Sequence, residues 1–119
     1  MSYSPKYIDH FTKPRNVGEL EPNDGWSEVE HSGSGCFDRV KLTIHIADGR
    51  IQEAQYRARA CSGTIAACSA LSELVVGLTL AEAKALTPED LDEDLGGTPE
   101  RKRHSLELAI EALNKALES

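Results

Sequence analysis

Residues 40–60 read VKLTIHIADGRIQEAQYRARA. Val40, Leu42, Ile44 and Ile46 alternate with Lys41, Thr43 and His45, a period of two that predicts a half-buried strand. Asp48-Gly49 is a hairpin-turn dipeptide. Beyond it, Ala54, Tyr56, Ala58 and Ala60 alternate with Gln55, Arg57 and Arg59. Ile51 falls out of phase with that set, so a bulge or a late strand start is expected. The two strands pair antiparallel, with one face wet. Upstream, Trp26–Glu30 predicts a short strand, and HSGSG, residues 31–35, a flexible stretch leading into Cys36. Downstream of Thr64 the period changes. Ile65, Cys68, Leu71, Leu74, Val75 and Leu78 recur at three and four, an amphipathic helix that Gly77 ends.

The flanks extend the same pattern. Ser4-Pro5 is a helix start, a capping hydroxyl followed by a residue with φ already set. Tyr7, Ile8 and Phe11 share a face of that helix, and Pro14 stops it. Residues 15–25 carry turn chemistry at Gly18, Pro22 and Asn23-Asp24-Gly25. Thr79 with Glu82 is a capping box, and Thr87-Pro88-Glu89-Asp90 opens a short helical turn in the same way. Gly96-Gly97 breaks the chain. Thr98-Pro99-Glu100 opens a last helix with an inner face of Leu106, Ala109, Ile110, Leu113 and Leu117. The expected architecture is α+β: a small three-stranded antiparallel sheet with helices packed on one face, in a single domain spanning 1–119.

The chain has 119 residues, 13 basic and 20 acidic, for a net charge of −7. Such a surface repels phosphates and anionic lipid, so neither nucleic acid nor membrane is an expected partner, and a basic protein fits better. No apolar run reaches the length of a membrane span. MSYSPKYIDH lacks a basic start followed by an apolar stretch, so no secretory signal is read and a cytoplasmic location is expected. Three cysteines in such a chain read as thiols or metal ligands rather than a disulfide framework.

Soft-metal ligands stand at the punctuation points. Cys36 precedes a strand, Cys61 ends a strand and opens a helix, and His104 lies just inside the last helix. Asp38, two residues from Cys36, points the same way in extended chain. Cys36, Asp38, Cys61 and His104 form a candidate site for zinc or for iron and sulfide. A helix N-terminus lowers a thiol's pKa, which favours the thiolate at Cys61. Two buried structural cysteines and a surface histidine are the other reading of the same residues. Cys61 with His104 as nucleophile and base lacks an evident residue to orient the histidine. His10, His31 and His45 are expected to face solvent, with His31 a reserve ligand near Cys36. Cys68 is placed on the buried stripe of its helix, with an extra thiol of the site, as fourth ligand or sulfur relay, the other reading. Residues 89–94 read as a solvated acidic face, and Arg57, Arg59 and Arg101-Lys102-Arg103 as exposed cations.

At these residues the chain resembles the IscU/NifU N-terminal family of iron–sulfur cluster scaffolds, nearly end to end. YSPKYIDHFTKPRNVGEL resembles the family's opening helix and loop. GCFD resembles its Cys-Gly-Asp motif, with Phe37 where glycine is usual. ACSGTIAACSALSELVVGLTLAEA resembles the second cysteine and the long helix after it. RKRHSLELAIEAL falls where the family carries a third cysteine, replaced here by His104. The resemblance implies a non-enzymatic scaffold. It would take sulfur from a cysteine desulfurase and iron from a donor, build a 2Fe–2S cluster and pass it to recipient apoproteins. Cys36 and Cys61 would be cluster ligands and sulfur acceptors, and Asp38 would keep the cluster labile. A zinc-bound sulfur acceptor that activates a desulfurase without holding a cluster shares the same ligands. The segment read by a dedicated chaperone is replaced by GGTPERK, so chaperone-assisted release does not carry over.

Overall fold

The computed structural model describes residues 3–33 and 36–118; the side chains of residues 33, 36 and 101 also lie outside the description. The element order is α1 (Pro5–Thr12), β1 (Gly25–Gly33), β2 (Cys36–Ala47), β3 (Arg50–Arg59), α2 (Ser62–Leu74), α3 (Leu80–Lys84), α4 (Pro88–Asp94), a 3₁₀ turn (Glu100–Lys102) and α5 (Arg103–Glu118). The sheet is three-stranded and antiparallel in the order β1-β2-β3.

The expected hairpin forms as read. Asp48 and Gly49 both take positive φ, 56° and 75°, which matches a tight turn to strand twist. The bulge predicted from Ile51 is present. His45 pairs with Glu53 but Ile46 pairs with Ile51, so Gln52 is left over. That one-residue slip returns Ile51 to the buried face.

Val40, Leu42, Ile44, Ala54 and Tyr56 point inward and are buried. Helix α5 packs on β1 and β2, α2 packs on β3, and α1 lies against α2. The approach of α5 is close. A Cβ on Gly25 would clash with the Ala116 carbonyl, and Ser27 donates to the Ala112 carbonyl at 2.7 Å. Leu106 and Leu113 are fully enclosed; burial of each contributes roughly 1.5–3 kcal/mol.

Four expectations need correcting. β1 and β2 run longer than their alternation suggested: residues 31–33 belong to β1 and Cys36 is the first residue of β2. Ser34 and Gly35, the rest of the stretch read as flexible, lie outside the described residues. The outer sheet face is only partly wet, because the loop after α1 folds over it. Leu20 is buried and its N–H donates to the Thr43 hydroxyl, while Asn16 and Gly18 pair with the backbone of Tyr56 at the free edge of β3. Helix α2 is buried on nearly all sides rather than along one stripe, because α1, α5 and the sheet surround it; Ile65 is only half-buried. Finally, Pro99 caps a 3₁₀ turn before α5, so Thr98-Pro99 does not open the α-helix directly. The capping boxes at Thr79 and Thr87, and the Ser4 cap with Pro5 at the first turn, form as expected.

Candidate metal centre

Strand β3 ends at Arg59, which pairs with Arg39 of β2. The next turn of chain makes Cys61 the N-cap of α2, in extended conformation. Asp38, the neighbour of Arg39, therefore reaches this turn, and its Oδ1 accepts the Cys61 N–H at 2.9 Å. The first turn of α5 brings His104 to the same place, with Nε2 3.5 Å from Asp38 Oδ2. One ligand atom from each of Asp38, Cys61 and His104 lies within 4.8 Å of the others.

Asp38 is 0% exposed, while Cys61 and His104 are half-buried. Asp38 Oδ2 and His104 Nε2 are buried, and among the described residues neither has a hydrogen-bond partner. Leaving a buried carboxylate oxygen unpaired is costly, and native interiors rarely tolerate it without a functional reason. A cation between these atoms would satisfy both. The donor set of a thiol sulfur, an imidazole nitrogen and a carboxylate oxygen suits zinc or iron.

The Cys61 environment favours thiolate. Burial pushes the thiol up, but the Thr64 N–H and hydroxyl, with Lys102 nearby, outweigh burial and the Asp38 charge, and the net shift is down. Cys61 Sγ lies 3.8 Å from Thr64 Oγ1 and 4.0 Å from Ser105 Oγ, and the two hydroxyls are joined at 2.9 Å. Gly63 makes room behind this turn. A Cβ there would stand 3.0 Å from the Tyr7 hydroxyl and 3.1 Å from Ser105 Oγ.

Asp38, Cys61 and His104 thus converge as expected from their positions at element ends. Cys36 opens β2 two residues before Asp38, but its side chain lies outside the described residues. Cys68 is 3% exposed within the core, and burial, with the Asp38 charge adding to it, pushes its thiol up to about 12; it is not among the described residues whose ligand atoms converge. Arg57 and Arg59 are exposed as expected, whereas Lys102 and Arg103 are half-buried and the Arg101 side chain lies outside the description.

Three histidine expectations are corrected. His45 is half-buried, its Nε2 meeting the Pro22 carbonyl and its Nδ1 3.4 Å from Glu53 Oε1. His10 is 3% exposed rather than solvent-facing, because α1 lays that face on α2, where His10 Nδ1 meets Ser69 Oγ at 2.8 Å. His31 is half-buried and its ring stacks on His104, with centroids 5.0 Å apart and planes at 25°. Sequence reasoning also missed Thr64 and Ser105. Thr64 stands three residues after the capping cysteine, the spacing at which a side chain meets an N-cap, and that signal was available. Ser105 gave none beyond adjacency to His104.

Residues 2–119 match the profile of the family described as the NifU-like N terminal domain. The chain is 39% identical over 124 residues to the iron–sulfur cluster assembly scaffold protein IscU of Escherichia coli, covering 98% of this chain and 92% of that protein. It is 40% identical over 118 residues to the bifunctional protein NifU/MnmA of Rubrobacter xylanophilus; the match covers 98% of this chain but only 24% of that longer protein. The crystal structure of a nitrogen-fixing NifU-like protein's N-terminal part from Brucella abortus superposes with a TM-score of 0.71 at 16% identity, over 97% of this chain and 91% of that one, which shows the shared fold. With the profile matched nearly end to end, the chain belongs to the NifU-like N-terminal domain family.

Proposed function

We propose that this chain is an iron–sulfur cluster assembly scaffold. It receives iron and sulfur, holds them as a labile 2Fe–2S cluster at Cys36, Asp38, Cys61 and His104, and passes the cluster to recipient apoproteins. The cluster is cargo. The observation that carries the reading is the buried pair Asp38 Oδ2 and His104 Nε2, neither hydrogen-bonded among the described residues, beside the Cys61 thiol, all within 4.8 Å. The name of the E. coli relative, an assembly scaffold, supports the same reading.

Each residue has a distinct task. Cys61, its thiol pKa lowered by the Thr64 donors at the start of α2, offers a soft sulfur ligand and a sulfur acceptor. Asp38 is fixed by the Cys61 N–H and offers a hard oxygen, a poor match for iron already bound by sulfide and hence a replaceable arm. His104 offers neutral nitrogen where a third thiolate would add negative charge. Cys36, at the start of β2, completes the set. A cysteine desulfurase supplies the sulfur and a separate donor the iron, in the cytoplasm, and the chain itself turns over no substrate. No helix among the described residues is long and apolar enough to cross a membrane.

Anaerobic reconstitution with ferrous iron and sulfide tests this. The expected product has two irons and two sulfides per chain, with visible absorption that is lost in Cys61→Ser. A chain that retains only zinc, or takes up iron without sulfide, would refute it.

A further inference from the structure

We propose that His31 is a positioning residue for His104: its ring is the wall against which the His104 imidazole is held toward Asp38 and Cys61. The proposal builds on the site read above. A metal-ligating histidine is ordinarily oriented by a hydrogen bond from its second ring nitrogen to a carboxylate, carbonyl or water. Among the described residues no hydrogen bond reaches the His104 ring. Its Nε2 faces Asp38 Oδ2 at 3.5 Å without one. The recorded contact across its plane is His31, with centroids 5.0 Å apart and planes 25° from parallel, a separation within the range of favourable ring stacking.

The backbone fixes His31 there. β1 runs through Gly33, and its register sets His31 directly opposite Asp38. The partner of His31 across the ladder is thus the buried carboxylate that His104 must face. His31 is anchored in a strand and His104 in the first turn of α5. Stacking ties the two elements together at the one point where their relative placement sets the ligand geometry. The short β1, as expected from sequence, would have left His31 in a loop with no fixed relation to the site.

The test uses cobalt(II) as probe, so that it does not depend on cluster assembly. Titration of the full chain and of His31→Ala, His31→Phe and His104→Ala, followed by d–d absorption, reads affinity. Removing an orienting partner costs roughly tenfold or more in metal affinity. His31→Ala is expected to weaken binding by about that factor, and His31→Phe, which keeps a ring and lacks nitrogen, to stay within about threefold of the parent. NMR of the apoprotein gives a second readout: the His104 ring protons should carry an upfield ring-current shift that is lost in His31→Ala and kept in His31→Phe. Cobalt affinity indifferent to residue 31, His31→Phe as weak as His31→Ala, or no cobalt binding by the parent would each overturn the proposal. Cobalt binding that depends on residue 31 in a chain that never accepts iron and sulfide would sustain it while refuting the scaffold reading.

Discussion

The two described cysteines should differ in reactivity by a factor that can be worked out. Alkylation by iodoacetamide at pH 7.5, in a Cys36→Ser background, isolates them. Burial, with the Asp38 charge adding to it, pushes the Cys68 thiol up to about 12, whereas Cys61 lies below the ordinary value of 9.0. A thiol at about 12 is ionised in roughly 3 × 10⁻⁵ of molecules at that pH, against roughly 3% for a thiol at about 9, a ratio near 10³. The more basic thiolate is intrinsically more nucleophilic. With a Brønsted slope of about 0.4–0.5, three units return roughly 20-fold to 30-fold. A difference of about 40-fold remains from ionisation alone. Enclosure of Cys68 in the core adds to it, because reagent reaches that sulfur only when the core opens. The assay is mass spectrometry of quenched time points, with each adduct located by peptide. Cys61 is expected to react at least about 40-fold faster, and Thr64→Val, which removes the hydroxyl 3.8 Å from Cys61 Sγ, should slow it. In strong denaturant the two rates should converge. A native Cys68 rate within fivefold of Cys61 would refute the placement of Cys68 and make it a candidate for the site.

Asp38→Ala is expected to lengthen the half-time of cluster transfer several-fold without preventing assembly. Because it removes the acceptor of the partly buried Cys61 N–H, it should also lower apoprotein stability by about 1 kcal/mol in urea melts. His104→Cys should lower the reduction potential of the reconstituted cluster, by on the order of 100 mV, because thiolate stabilises the oxidised form more than imidazole does; protein-film voltammetry reads it, and an unchanged potential would remove His104 from the ligand set. His10 supplies a pH signature. Burial depresses its pKa from 6.5, the Arg15 guanidinium adds to that, and Glu73 opposes. Arg15 Nη1, 3.3 Å from Nδ1, can only donate, so the native ring is neutral. The unfolded chain then takes the proton first. Stability is complete above about 6.5 and falls as pH drops through that value toward the lower native pKa. The urea midpoint should fall between pH 7 and pH 5.5, and His10→Gln should flatten that dependence.

Elements marked by local chemistry were legible in the sequence. The Asp-Gly hairpin, the out-of-phase Ile51, the capping boxes at Thr79 and Thr87 and the Ser4-Pro5 start each depend on a few adjacent residues, so the pattern alone decides them. Asp38, Cys61 and His104 were legible as candidates because chemistry-bearing residues stood at element ends. Their convergence was not written locally. It depends on register, Arg39 against Arg59, and on the close seating of α5 that Gly25 permits. The misreadings share that cause. His10 looked exposed because α1 alone cannot reveal that α2 covers it. His31 looked like loop because Ser32 and Gly33 are weak strand formers, and pairing with Phe37 and Cys36 overrides that propensity. The stripe expected on α2 was only partly a core list: Cys68, Leu71 and Val75 are buried, Ile65, Leu74 and Leu78 only half-buried, and the small residues Ala66, Ser69 and Ala70, buried because neighbours approach from several sides, were missed.

In the proposed function Asp38, Cys61 and His104, with Cys36, carry a cluster built to leave. The most direct test is transfer from the anaerobically reconstituted chain to an apo-ferredoxin, followed by visible circular dichroism in the presence of an iron chelator. Full transfer that the chelator does not intercept is expected, abolished by Cys61→Ser at the loading step and slowed by Asp38→Ala after loading. A cluster captured by the chelator before it reaches the ferredoxin, or faster transfer from Asp38→Ala, would contradict that function.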